Sequence, residues 1–191
     1  MEAVQQEKRN SPRAGQYLTF VTAGEEYAIR ILKVKEIVEY STITAVPNTP
    51  GWIRGVTNLR GSVVPVIDLA VKFALPASRI TKFSCIIITE VMSEGEMLTL
   101  GVLADSVSQV LDLPEDDIED PPPFGTRVKL EYLLGMGRMD RKFCLILDID
   151  KVLSADELLA VAESADTETV LENGRIAADG RTQVNAAGSG V

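Results

Sequence analysis

Asp68 and Asp148 have the first claim to chemistry in this chain. Each closes an apolar run, Val66-Ile67 in one case and Ile146-Leu147 in the other, and each precedes a further short apolar stretch. Paired carboxylates can divide acid and base work, as in glycosidic cleavage. The same placement is where an Asp satisfies the free N–H groups that open a helix. Equivalent positions before two helical turns read as two caps, and a small enzyme using Asp68 and Asp148 stands as the alternative. The chain contains no histidine. Ser-His and Cys-His nucleophile pairs, imidazole-based zinc sites and phosphohistidine transfer are therefore excluded. Cys85 and Cys144 each lie inside an apolar run with no second cysteine nearby, and read as buried reduced thiols. Gly135-Met136-Gly137 lacks the third glycine and following helix of a dinucleotide site. No cofactor and no metal is expected.

The remaining singular residue is Arg60. It sits in Leu59-Arg60-Gly61-Ser62, a reversal between the apolar runs that begin at Gly55 and end at Leu69. Gly61 supplies the backbone freedom of a tight turn, so a hairpin presents one cation at its tip. That hairpin, followed by the capped turn at Asp68, is the expected centre of both fold and function.

The formal net charge is −9. A phosphate backbone or an anionic membrane surface would select a basic face, so neither nucleic acid nor direct membrane contact is expected. Apolar runs such as Cys85-Ile86-Ile87-Ile88 fall far short of the roughly 20 residues of a membrane span. Residues 1–15 are polar with no apolar secretion segment, and read as a flexible lead-in to a cytoplasmic protein.

Short strands separated by turn signals follow from Gln16 onward. Tyr17 to Val21 and Tyr27 to Ile31 flank Ala23-Gly24-Glu25 as a hairpin. Leu32 to Tyr40 is ambiguous between strand and short helix, with Val34, Ile37 and Val38 expected inward and Lys35, Glu36 and Glu39 outward. Trp52 reads as a lid on the core. Residues 74–81 form a linker, and the pattern restarts with strands over Phe83 to Val91 and Leu98 to Leu103. Asp112 to Asp120 reads as a solvated acidic loop closed by Pro121-Pro122-Pro123. A strand-turn-strand unit ends at Ile149, a helix capped by Ser154 to Glu157 closes the domain over 151–163, and 164–191 reads as a disordered acidic tail.

The restart is a duplication. Gly55 to Leu69 superposes without a gap on Gly135 to Ile149, and Ala28-Ile29 with Val34, Ile37 and Val38 superposes on Gly101-Val102 with Val107, Val110 and Leu111. Approximate halves at 16–80 and 81–150 each suggest a small barrel of about five strands, since closure removes exposed edges.

Glu26 to Ile37, Asn48-Thr49-Pro50, Gly55 to Gly61 and Val63 to Leu69 closely resemble the CheW family of chemotaxis coupling proteins. The resemblance spans roughly Gln16 to Val161. It implies a mainly β fold of two intertwined SH3-like five-stranded barrel subdomains on a shared core, with short helices and a C-terminal helix. It implies a non-catalytic adaptor joining the cytoplasmic tip of a chemoreceptor to the regulatory domain of a CheA-type histidine kinase, in a flagellar or a pilus or gliding pathway. By the same resemblance Val34, Glu36 and Val110 fall at receptor-binding positions, and Gly55, Arg60 and Gly61 at kinase-coupling positions. Ala28 departs from a common glycine, and its methyl group is expected to be accommodated.

Overall fold

A computed structural model describes residues 13–93, 95–121, 126–139, 142–153, 156–157 and 161. Residues 1–12, Pro122 and Pro123 of the triple proline, the Ser154 cap and the tail from 162 lie outside them. Among the described residues eleven strands form: β1 (Gly15–Thr22), β2 (Glu25–Arg30), β3 (Val34–Glu39), β4 (Ile53–Leu59), β5 (Ser62–Asp68), β6 (Cys85–Ser93), β7 (Glu96–Ala104), β8 (Ser106–Leu113), β9 (Ile118–Glu119), β10 (Leu133–Met139) and β11 (Lys142–Leu147). Two single-turn helices, α1 (Leu69–Lys72) and α2 (Ile149–Val152), follow β5 and β11.

One sheet has the order β3-β6-β7-β5-β4 and the other β8-β1-β2-β11-β10-β9. The two barrels do not divide the sequence at residue 80. Each takes the first two strands of one repeat and the last strands of the other, joined by equivalent parallel pairs, Val66 opposite Gly101 and Ile146 opposite Ala28. Alternation along a single strand explains the exchange. Ile86 and Ile88 enter the interior of the first barrel beside Val64, Val66 and Leu103, whereas Ile87 faces the other way into a shared core. Tyr17, Ala28, Cys144 and Ile146 fill the second barrel, while Leu18, Phe20, Tyr27 and Ile29 join Ile87 between the two. Strands apolar on both faces are satisfied only when covered on both.

An aromatic row crosses the shared core: Phe20 to Tyr27 at 6.0 Å, Tyr27 to Phe73 at 5.9 Å, and Phe73 to Tyr132 at 6.2 Å between centroids. Trp52 packs against this core, and the Lys72 ammonium stands 5.1 Å from its ring and 5.9 Å from that of Tyr132. Trp52 and Tyr132 are equivalents in the duplication: their carbonyls accept from the N–H groups of Asp68 and Asp148, each at 2.8 Å.

Three expectations are corrected. The second sheet has six strands, because the acidic stretch is not simply a loop. Leu113 and Ile118 are buried, and their burial turns Asp112–Leu113 into the end of β8 and Ile118–Glu119 into β9. The lead-in ends earlier than Gly15, since Arg13 is tied to Glu115 at 3.1 Å and to Asp120 at 2.5 Å. Along β3 exposure alternates, leaving Val34, Glu36 and Val38 half-buried and Ile37 exposed, while a register shift between Val34 and Glu36 turns Val34 to the shared core and Val38 to the interior of the first barrel.

Candidate functional site

The β4–β5 hairpin turns through two residues. Arg60 and Gly61 both have positive φ, 52° and 90°, the backbone of a type I′ turn that matches strand twist. Asn58 Oδ1 accepts from the Gly61 N–H at 2.8 Å and holds the loop in shape. Arg60 is thereby left pointing into solvent.

Glu36 reaches this tip from the far end of the sheet. β3 and β4 are opposite ends of the strand order, so they meet only if the sheet curls. Two contacts record the closure. Arg60 Nη2 lies 2.7 Å from Glu36 Oε2, and Thr44, just beyond β3, exchanges two 2.8 Å backbone hydrogen bonds with Val56 on β4. The Arg60 side chain is 80% exposed and that of Glu36 21%, so the pair adds at most about 1 kcal/mol to stability. Its consequence is positional: it fixes where a cation stands.

Gly55 serves that closure from below. It is buried at a register shift in β4 with φ 136°, and a Cβ there would stand 2.1 Å from the Thr44 carbonyl oxygen. Gly135 occupies the matching shift in β10, where a Cβ would stand 2.9 Å from the Glu119 carbonyl oxygen. The invading backbone is thus why both repeats carry glycine. Gly61 is the opposite case, since a Cβ there would meet nothing within 4 Å and only its φ demands glycine.

The other singled-out residues are spread more widely. Val34 is half-buried and packs on the rim of the shared core. Val110 stands on β8 opposite Leu18, in the other sheet, and is 50% exposed. Its equivalent in the first repeat is Ile37, 44% exposed on β3. The sequence reading missed Ile37, although its equivalence to Val110 in the duplication would have found it.

Asp68 is fully buried, and its carboxylate accepts from the N–H groups of Ala70 at 3.0 Å and Ser78 at 3.2 Å and from Ser78 Oγ at 3.3 Å. Both oxygens are committed to the capped turn and the linker behind it. Asp148 makes no side-chain cap, and pairs instead with Lys151 at 3.1 Å. The expectation of two caps holds for Asp68 alone. Burial pushes the Cys144 thiol up to about 11 and raises that of Cys85, so neither is a thiolate near neutrality. Among the described residues no group of three or more Cys, Asp or Glu is arranged to hold a metal ion. Among them too, no helix is long and apolar enough to cross a membrane.

Two SH3-like barrels sharing strands and a core, with their exposed features on a hairpin tip and strand edges, define a double-barrel scaffold. The family model of the CheW-like domain matches residues 16–157. The chemotaxis protein CheW of Klebsiella aerogenes is 40% identical over 146 residues, covering 76% of this chain and 86% of that protein. The protein FrzA of Myxococcus xanthus is 32% identical over 131 residues, covering 68% and 79%. The crystal structure of the scaffolding protein TtCheW from Thermoanaerobacter tengcongensis matches with a TM-score of 0.67 at 32% identity, covering 78% of this chain and 93% of that one. The chain belongs to the CheW-like family of chemotaxis signalling proteins.

Proposed function

We propose that this chain is a non-catalytic adaptor that couples chemoreceptors to the regulatory domain of a CheA-type histidine kinase and so controls kinase activity. The observation that carries the reading is the 2.7 Å ion pair between Glu36, at a receptor-binding position by family resemblance, and Arg60, at a kinase-coupling position. Two partner surfaces that share one ion pair can exchange binding free energy, and that exchange is reciprocal. Val34 extends the receptor surface on β3. Val110 adds to it from the second barrel. Gly61 shapes the kinase-coupling turn, and Gly55 acts through the backbone because its own position is buried.

The full commitment of Asp68 to the fold supports the absence of catalysis. The net charge of −9 supports protein partners in the cytoplasm over nucleic acid or a membrane surface. The test is a reconstitution of a receptor tip and a CheA-type kinase with wild type, Arg60→Asp and Val34→Asp. Wild type is expected to form a ternary assembly that raises kinase activity, with Arg60→Asp losing kinase coupling and Val34→Asp losing receptor binding. Unchanged assembly with both variants would remove the site assignment. The likeness to FrzA, a relative not named for chemotaxis, supports a second reading within the same class, an adaptor of a pilus or gliding pathway. Receptor tips from the same genome, tried one by one, separate the two.

A further inference from the structure

We infer that β8 is a docking edge for an extended, basic peptide segment of a partner protein, added as a further strand. β8 ends the six-stranded sheet, so one side of its main chain has no strand partner among the described residues. The unpaired side can be read from Gln109, whose N–H and carbonyl both bond Thr19 Oγ1 of β1, at 3.2 and 3.1 Å. Ser108 and Gln109 form a bulge opposite Thr19, and from Gln109 onward main-chain groups alternate in direction, which turns those of Val110 and Asp112 away from β1. Beside this edge lies an open groove of about 1130 Å³ between β8 and the end of the β10–β11 hairpin. Leu111, Leu113 and Met139 give it an apolar lining.

Its charge selects the occupant. The groove's basic residues are already paired, Arg138 with Glu119 and Lys142 with Glu26 at 3.5 Å. Asp117 lines the same groove and shares Arg138 with Glu119, and Asp112 adds a further carboxylate, so acids outnumber bases there. Alternating apolar and Lys or Arg residues would place one set against the apolar lining and the other beside these carboxylates, which is the strand-addition mode of recognition. Val110 is also at a receptor-binding position of the proposed adaptor, so the edge adjoins that surface, and a peptide titration with no receptor present tests the inference apart from that reading.

The test uses the full chain, isotope-labelled, and two synthetic peptides of roughly seven residues, alternating Val with Lys or Val with Glu. Hydrogen exchange at Val110 and Asp112 is expected to be fast in the free protein and slowed by the Lys peptide. The Glu peptide is expected to bind about tenfold more weakly, the scale of two exposed charge contacts. Asp112→Lys with Asp117→Lys, on the rim, should reverse that preference. Val110→Pro, which cannot donate at the edge, should abolish binding, with the double charge variant serving if the proline variant fails to fold. Slow exchange in the free protein, indifference to peptide charge, or protection that instead tracks formation of a dimer would each overturn the inference.

Discussion

Arg60 of the β4–β5 turn holds Glu36 of β3 at 2.7 Å, across the seam where the first barrel closes on itself. The contact joins residues from opposite ends of one sheet. A substitution at either therefore tests position and charge more than stability.

Arg60→Asp is expected to change unfolding free energy by less than about 1 kcal/mol, because the side chain is exposed and the pair is screened. Partner binding should fall by a much larger factor. The charge swap, Glu36→Arg with Arg60→Asp, restores the pair with reversed sign. If the pair itself carries coupling the swap recovers it, and if the cation meets a partner carboxylate it does not. A double-mutant cycle on kinase stimulation decides between them.

Gly55→Ala should destabilise the fold by about 2–4 kcal/mol, since its Cβ would collide with the Thr44 carbonyl in a backbone already at positive φ. Gly61→Ala, with open space around it, should cost only about 1 kcal/mol from its left-handed backbone. Urea denaturation of both variants measures the difference. Equal losses would mean that the bridge between Thr44 and Val56 gives way freely.

Asp68→Ala removes a cap and leaves the Ser78 donors unpaired in the core, an expected loss of about 2–3 kcal/mol. Asp148→Ala, with no cap to lose, should cost under about 0.5 kcal/mol. Thermal unfolding of the pair checks this. Two acid–base partners would instead show similar stabilities and a shared loss of some turnover.

Stability should fall as pH rises from about 9 to about 11. The Cys144 thiol is held protonated by burial until about pH 11, whereas an unfolded thiol ionises near pH 9, so the unfolded state releases its proton first over that window. Cys85, Tyr17 and Tyr27 are raised by burial as well and act in the same direction. Cys144→Ala, though less stable throughout, should show a shallower alkaline slope in denaturant midpoints. A slope identical to that of wild type would place the thiol's titration outside the folding equilibrium.

The period-two runs, the turn at Arg60-Gly61 and the duplication were legible because they are local patterns. Superposing Gly55 on Gly135 anticipates a shared backbone irregularity, and the matching register shifts in β4 and β10 are that irregularity. Errors arose where an apolar residue's direction depended on the register of its strand. Its apolar type places Ile37 inward, but a register shift after Val34 leaves Ile37 exposed and Glu36 half-buried. The charges around Leu113 and Ile118 masked two buried anchors, so a strand pair read as a loop.

By itself the sequence determined that the chain is a doubled, histidine-free β protein of the CheW-like family whose hairpin tip carries a cation. Only the tertiary structure decided that each barrel is completed by strands of the other repeat, and that Glu36 stands beneath Arg60. The reason is physical. A strand apolar on both faces states that it must be covered twice, but nothing in its own residues says by which neighbour, and that choice belongs to whichever closure fills both barrels and the core between them.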